Sequence, residues 1–306
     1  IGTFTQVNGI TSAANNFFDP NNAHMISLFG RDYSWSVVIA GLILAICVGL
    51  VVIGGLKRIS QVSQVIVPFM AVIYVIAAIT ILLCNVKQIP AAFVTIIQSA
   101  FGIRAAAGGA LGAVLLAMQK GIARGIFSNE AGLGSAPIAA AAAHTEEPVR
   151  QGLVSMMGTI IDTLIICTMT GLAIVITDTW NIGLEGVAVT TKAFQIGLPL
   201  PDEVCSFILM LCLIFFAFTT ILGWDYYSER CLEYLCNGNQ KVVHVYRWIY
   251  ILAVLIGPFM TISAVWTIAD IFNGLMALPN LVALIALSGV IVAETKSYFE
   301  RVPKYK

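Results

Sequence analysis

The chain has 306 residues, of which 59% are hydrophobic and 10% are charged, and its mean hydropathy is +0.92. A soluble domain carries about 25% charged residues, so this composition excludes a soluble globular protein, a disordered chain and a nucleic-acid-binding protein. The class that remains is a polytopic helical membrane protein. Sixteen basic and sixteen acidic residues give a net charge of zero, so the charge balance indicates no polyanionic partner.

Apolar runs in the first hundred residues predict four helices. Residues 1–18 form a helix that ends at Asp19, followed by proline and asparagine. A spanning helix needs about 20 mostly apolar residues, and residues 34–55 and 62–84 reach that length. Residues 88–101 are too short to span and predict an interfacial or re-entrant helix.

The next stretch, residues 105–143, predicts one span that is broken in its middle. An apolar Ala/Gly-rich run at 105–118 and a second run at 136–143 flank the sequence GIFSNEAGLGS at 125–135. Neither run alone is long enough to span, but the two together are.

The second half of the chain predicts four more helices and a tail. A polar segment separates the first of these helices from the second, and the second runs on into a charged end. The whole chain, 1–306, is predicted to be a single transmembrane transporter domain. The helices are 152–177, 204–235, 246–268 and 271–293, and the basic cytoplasmic tail is 294–306.

Lysine and arginine positions predict the orientation in the membrane. Nine basic residues then lie on the cytoplasmic side and four on the other, provided that 105–143 crosses once. The cytoplasmic set is Lys57, Arg58, Arg150, Lys241, Arg247, Lys296, Arg301, Lys304 and Lys306, and the opposite set is Arg31, Lys87, Arg104 and Lys192. The chain begins with Ile1 in an apolar helical stretch with no signal peptide, so we expect further sequence upstream.

The break in 105–143 is the most informative stretch. Its three glycines each lower helix propensity by about 1 kcal/mol relative to alanine, and Ser128, Asn129 and Glu130 are consecutive polar residues between them. Discontinuous helices form substrate sites in secondary transporters, where half-helix ends offer N–H groups to a carboxylate and carbonyls to a cation. The alternative is a packing kink whose polar side chains join neighbouring helices.

Arg124, Glu130 and Asp162 are ionisable residues within predicted spans, where an unpaired charge is costly. Arg124 and Glu130 flank the break, and we expect them to pair with each other in a structural role. Asp162 lies ten residues into its span. It is either a functional carboxylate or a hydrogen-bonded clamp on a neighbouring break.

Other polar side chains in the spans are ambiguous. Thr219 and Thr220 are adjacent late in 204–235. Their hydroxyls either bond their own backbone or offer the oxygen ligands that a hard cation such as Na⁺ accepts. Gln6 and Asn8 on the opening helix either join helices or line a site.

Catalysis has little support in the sequence. It contains no GxSxG motif, no HExxH motif and no Cys/His pair, and its seven cysteines lack metal-ligand spacing. We therefore expect no enzyme, no metal centre and no cofactor. A channel would carry a filter sequence or a ring of acidic residues, and neither is evident, so alternating access fits better.

Long motifs resemble one known family. The run GIARGIFSNEAGLGSAPIAAAAAHT at 121–145 resembles the signature of the alanine/glycine:cation symporters. The resemblance covers most of residues 1–300. It continues in the same order through PVRQGL, IDTLIICTMTGL, GLEGVAVTTKAFQ, AFTTILGW, YSERCLEYL, ADIFNGLMALPNL and ETKSYF.

The resemblance implies an all-α polytopic membrane protein with the LeuT-type 5+5 inverted-repeat fold of the amino acid–polyamine–organocation superfamily. Family members begin with two to three helices that precede IGTFTQVN, so the chain is expected to be N-terminally incomplete. In the family's order, 1–18 would be the third core helix, 105–143 the sixth, 204–235 the eighth and 271–293 the tenth.

The resemblance also implies roles for individual residues. Arg124, Glu130 and Asp162 are expected, from their positions in the spans rather than from the resemblance, to take structural or coupling roles. The sodium positions would be Thr219 and Thr220. The substrate positions would be Gln6, Phe127, Ser128, Asn129, Gly132, Gly223 and Trp224.

The implied activity is symport of a small neutral amino acid, alanine or glycine, into the cell with Na⁺ by alternating access. Na⁺ is then a coupling ion, and the partners are L-alanine, glycine, Na⁺ and the lipid bilayer, with no nucleic acid. We expect a monomer in the plasma membrane (inner membrane) of a bacterium or archaeon. Two alternatives with the same fold remain, glutamine as the substrate and H⁺ as the coupling ion. A channel is a third and weaker alternative.

Overall fold

The computed structural model of the protein describes residues 2–28, 30–101 and 110–301. These residues form α-helices, short 3₁₀ and π segments, and one β-hairpin. The hairpin strands are β1 (Met25–Leu28) and β2 (Arg31–Ser34). The helices are α1 (Gly2–Phe18), α2 (Trp35–Val52), α3 (Gly55–Cys84), α4 (Ile89–Ala100), α5 (Ala110–Asn129), α6 (Ser135–Ala140), α7 (Pro148–Thr159), α8 (Thr168–Ile176), α9 (Val187–Gly197), α10 (Asp202–Leu235), α11 (Gln240–Ile256), α12 (Ile262–Ala286) and α13 (Ser288–Arg301).

The chain divides into two compact units. The first consists of the residues up to Ser99 together with Met169–Ala269. The second consists of Ala100–Thr168 and the residues from Asp270 onwards. The prediction of a single transporter domain stays a prediction.

The first unit has its core where α10 packs against α1, α2, α3 and α11. Val7, Val48, Leu209, Ile221 and Val254 are fully buried in this unit. Lipid tails are as apolar as these side chains, so association in a membrane depends on close packing and on hydrogen bonds between helices.

Six helices within the described residues are long and apolar enough to cross a membrane. Their large apolar side chains, such as Leu50, Val65 and Ile285, are mostly exposed, which suits contact with lipid. The predicted all-α membrane class is thereby confirmed, whereas the LeuT-type inverted repeat stays a prediction. The six are Trp35–Val52, Gly55–Cys84, Pro148–Ile176, Asp202–Leu235, Gln240–Phe259 and Ile262–Ala286.

Helix α1 ends at Phe18, and Asp19 ties the following turn to the hairpin. The Asp19 carboxylate accepts hydrogen bonds from the Ser34 hydroxyl at 2.7 Å and from the Ala23 N–H at 2.7 Å. The Ser34 hydrogen bond is the main cause that lowers the pKa of Asp19 below its usual value of 3.8. The hairpin itself was not predicted from the sequence.

In the second unit, α5 packs against a π-helical segment, Ile160–Cys167, that joins α7 to α8. The short helix α6 and the last helix, α13, both pack against α7. This arrangement places the end of α5 beside the π segment.

The last predicted spans are divided differently in the structure. The run predicted as one helix over 246–268 ends at Ile256, and α12 starts at Ile262 rather than at 271. The reason is Pro258, which follows Gly257 and has no N–H to continue the helical ladder. Hydropathy does not change at this proline, so the apolar run alone does not indicate where the helix ends.

Two further boundaries differ from the prediction. The tail predicted over 294–306 is helical as far as Arg301, and residues 302–306 lie outside the described residues. The polar segment before α10 contains α9, whose Phe194 is fully buried. The start of the predicted broken span, 105–109, also lies outside the described residues.

Candidate functional site

The break expected from the sequence lies at residues 130–134, between the end of α5 and the start of α6. Glu130, Gly132 and Gly134 have φ values of +55°, +83° and +85°. Left-handed backbone of this kind cannot continue an α-helix and costs glycine little. One hydrogen bond, from Leu133 N–H to the Glu130 carbonyl at 3.2 Å, closes the turn.

The last turn of α5 binds the π segment through two side chains. Ser128 donates to an Asp162 carboxylate oxygen at 2.7 Å, and the Asn129 amide donates to the Thr163 hydroxyl at 2.9 Å. The Asn129 side-chain oxygen accepts from Ala131 N–H at 2.9 Å and so caps the break. Three residues predicted for the site, Ser128, Asn129 and Asp162, are thus brought together.

These hydrogen bonds form a chain in which each side chain donates toward the Asp162 carboxylate. The Thr163 hydroxyl accepts from Asn129 and donates to Asp162 at 3.3 Å, and Ser128 donates to the same carboxylate oxygen. An ionised carboxylate accepts only, so Asp162 is the end point of the chain of bonds. It lies in a π segment, a feature frequent at functional sites.

On the α6 side of the break, hydrogen bonds come from Asn280 of α12 and from Ser135, the first residue of α6. Asn280 donates to the Gly132 carbonyl at 3.0 Å. A Cβ on Gly134 would lie 3.4 Å from Asn280. Ser135, which is fully buried, donates to Glu130 at 2.7 Å.

The expected pairing of Arg124 with Glu130 is wrong. Arg124 donates to both carboxylate oxygens of Asp270, at 2.9 and 2.7 Å, while Glu130 accepts from Ser135. The left-handed turn at Glu130 carries its carboxylate toward α6, and the acid on α12 neutralises the arginine instead.

The predicted sodium residues lie in the first unit, on α10. Thr219 donates to the carbonyls of Phe215 and Phe216, at 3.1 and 2.9 Å, and Thr220 donates to Phe216 at 3.0 Å. The hydroxyl hydrogens are therefore used within the helix, as one alternative expected. Their oxygen lone pairs face a half-buried environment and can still accept.

The predicted substrate residues divide between the two units. Trp224 is buried against α1 so closely that a Cβ on Gly2 would clash with its indole nitrogen. A Cβ on Gly223 would have nothing within 4 Å. Gln6 in the first unit and Phe127 in the second are half-buried. Their roles, like those of the sodium residues, stay predictions.

A cavity of about 310 Å³ opens in the second unit between α5 and α12. Its polar lining comes from Gln119, Lys120, Asp270 and Asn273. The Asn273 side-chain oxygen is buried without a hydrogen-bond partner among the described residues. The predicted substrate residues do not belong to its lining.

Sequence reasoning missed the contribution of α12. Asp270, Asn273 and Asn280 are polar residues in an apolar helix, and spacings of three and seven place them on one face. That spacing was the available signal. The partner of each residue, in contrast, could not be derived from a local pattern.

A comparison with protein families decides where the chain belongs. The model described as the sodium:alanine symporter family matches residues 1–306. The chain belongs to the sodium:alanine symporter family. This confirms the resemblance that the sequence motifs indicated.

Individual relatives of the sodium:alanine symporter family support the match. An uncharacterized transporter of Haemophilus influenzae is 51% identical over 303 residues, which are 98% of this chain and 62% of that protein. The sodium/alanine symporter AgcS of Methanococcus maripaludis is 42% identical over 304 residues, 98% of this chain and 62% of AgcS. The probable sodium/glutamine symporter GlnT of Bacillus subtilis is 38% identical over 283 residues, 92% of this chain and 58% of GlnT.

The chain spans 58–62% of the length of these three relatives. As a member of the sodium:alanine symporter family with several apolar helices, it is a multi-pass protein of the cell membrane. The family and the relatives are transporters, so the expectation that the chain is no enzyme is confirmed.

Proposed function

We propose that the protein containing this chain is a secondary active symporter, which moves a small neutral amino acid, alanine or glycine, into the cell together with Na⁺. The observation that carries the proposal is the break at 130–134, where α5 ends at Asn129 and α6 begins at Ser135. A helix end leaves up to four backbone groups without helical partners. Such ends give a zwitterion both carbonyl acceptors and N–H donors.

The side chains around the break support a fixed site rather than a loose kink. Ser128 and Asn129 are held by the π segment, and the Gly132 carbonyl is held by Asn280. A site held by such hydrogen bonds loses less free energy to ordering when a ligand binds. The sodium/alanine symporter AgcS, at 42% identity over 304 residues, supports alanine as the substrate, and glycine is proposed from the resemblance of the sequence motifs.

On the first unit, Thr219 and Thr220 are the proposed Na⁺ ligands and Gly223 and Trp224 the proposed substrate contacts. Hydroxyl oxygens suit a hard cation. Concentrative symport requires that Na⁺ and amino acid favour each other's binding, and such coupling is typically about 1–3 kcal/mol.

The test is uptake of labelled L-alanine into proteoliposomes that hold the protein expressed from its complete gene. An inward Na⁺ gradient should give transient accumulation above equilibrium, and collapse of the gradient by an ionophore should abolish it. A K⁺ gradient of equal size is the control. Folded protein that accumulates no amino acid under a Na⁺ gradient would overturn the proposal.

A second candidate, Na⁺-coupled glutamine transport, is supported by the 38% identity to GlnT. One apolar methylene changes binding by only about 1–3 kcal/mol, so discrimination among small amino acids is modest. Competition by unlabelled glycine and glutamine against labelled alanine separates the two. Stronger inhibition by glutamine than by glycine would assign the protein to the second class.

A further inference from the structure

Helix α10 carries a carboxylate that is sealed inside the first unit. Asp225 is fully buried, and within the described residues neither of its carboxylate oxygens has a hydrogen-bond partner. Buried polar groups almost always have a partner. A fully buried carboxylate with none therefore calls for an explanation.

The nearest acid, one turn further along α10, is already neutralised. Glu229 is 2% exposed, and both of its oxygens are bound by Arg247 from α11, through Nε and, at 3.0 Å, through Nη2. Arg230 lies 3.8 Å from the same carboxylate and pairs more closely with Glu233, at 2.5 Å. Glu229 and Arg247 cancel, so Asp225 is the carboxyl left over.

The tyrosines of α11 do not supply the missing hydrogen bond. Tyr250 donates its only hydroxyl hydrogen to the Ile221 carbonyl at 2.7 Å and accepts from Thr3 at 2.7 Å. Tyr246 packs its ring against that of Tyr250, with the centroids 6.0 Å apart, and gives no hydrogen bond to Asp225.

Among the described residues, the other helices that pack against α10 bring no compensating charge to Asp225. The segment Gly2–Phe18 contains no ionisable side chain, and α2 contains only Cys47. On α3, Lys57 is exposed and Arg58 donates to the Leu50 carbonyl at 2.7 Å. On α9, Lys192 donates to Gln195 at 3.3 Å.

From this arrangement we propose that Asp225 is a proton-binding site, occupied by a proton in the conformation described here. A buried carboxyl without a partner is neutralised rather than left charged. Protonation adds one proton from water to one carboxylate oxygen, and no other bond forms or breaks. A proton needs no further ligands, whereas a metal cation needs several oxygens around it.

The proposal concerns the resting protein and does not depend on what it transports, so it can fail or hold independently of the symport assay. The experiment is infrared spectroscopy of the complete protein in lipid nanodiscs at neutral pH. The wild type should show the carbonyl band of a protonated carboxyl, shifted in D₂O. Asp225→Asn should lose this band, and Asp202→Asn, which removes an exposed acid at the start of the same helix, should keep it.

If Asp225→Asn loses only an ionised carboxylate band, the proposal is wrong. If that variant fails to fold, wild-type protein labelled with ¹³C-aspartate decides the question. An isotope-shifted acid band at neutral pH supports the proposal, and its absence overturns it. Na⁺ added at constant pH should leave the band unchanged, and conversion of the band to carboxylate would assign the site to a metal cation.

Discussion

The Ser128 hydroxyl lies 2.7 Å from a carboxylate oxygen of Asp162, 34 residues further along the chain. The bond fastens the last turn of α5 to the π segment. Of the two roles that the sequence left open for Asp162, this contact favours the clamp on a neighbouring break. It also explains why an ionisable side chain is retained within an apolar span.

Removing either partner of this bond should destabilise the protein and lower uptake. Ser128→Ala should cost about 1 kcal/mol. Asp162→Ala should cost about 1–3 kcal/mol, because it leaves Thr163 without its acceptor as well. Thermal unfolding in nanodiscs measures both, with Thr295→Ala as control, since this half-buried threonine of the same unit donates only to its own helix, at the Ile291 carbonyl. Strictly additive effects in the double variant would contradict a direct bond.

The Arg124–Asp270 pair should matter more than a surface pair. Its side chains are 36% and 38% exposed, so breaking it should cost between about 1 kcal/mol, as for an exposed pair, and about 3 kcal/mol, as for a buried one. Arg124→Gln should lower the unfolding temperature, and adding Asp270→Asn should restore part of the loss.

The matched control for this ion pair is Arg301 with Glu147, where the arginine side chain is 57% exposed. Arg301→Gln should change the unfolding temperature little. Equal effects at both pairs would show that Arg124 contributes no more than a solvated charge.

Gly134→Ala should be harmful, whereas Gly125→Ala should be harmless. An alanine at 134 would keep a φ of +85°, at a cost of about 1–2 kcal/mol, while its Cβ would only reach contact distance from Asn280. Gly125 is helical with nothing within 4 Å of an added Cβ, so alanine there gains up to about 1 kcal/mol. Uptake and unfolding temperature should be measured for both variants. If Gly134→Ala matches the wild type in both, the left-handed backbone at residue 134 is not required for the site.

Thr219→Ala and Thr220→Ala should raise the Na⁺ concentration for half-maximal uptake while leaving the fold intact. Each variant removes one oxygen that could bind the ion. Thr80 makes the same kind of bond to its own helix, at 2.8 Å to Ile76, so Thr80→Ala controls for loss of that bond. An unchanged Na⁺ dependence in both α10 variants would exclude these hydroxyls from the sodium site.

Ser34→Ala should change how stability responds to acid. Ser34 lowers the pKa of Asp19 below 3.8, so ionised Asp19 stabilises the fold above its unfolded pKa, and this contribution disappears as pH falls through the folded pKa. The difference in unfolding temperature between wild type and variant should be largest near neutral pH and should shrink toward strongly acidic pH. Thr80→Ala, which loses a hydroxyl bond to the neutral Ile76 carbonyl, should show no such trend.

The sequence predicted the spans because long apolar runs are a strong signal. Helix boundaries were predicted wrongly where hydropathy does not change, as at Pro258. Helix α9 was not predicted, because its segment is polar and contains threonines. The backbone break was predictable from its glycines. The partners of Arg124 and Gly132 were not, because Asp270 and Asn280 lie 146 and 148 residues away and only tertiary packing brings such residues together.

The hydroxyl hydrogens of Thr219 and Thr220 are both donated to carbonyls of α10 itself. A hydroxyl whose hydrogen is already committed to a carbonyl presents only lone pairs to its surroundings. In this arrangement Thr219 and Thr220 can act only as acceptors toward a further group. If Na⁺ binds here, as we propose, neither hydroxyl has to rotate, whereas an anion would find no donor on these two side chains.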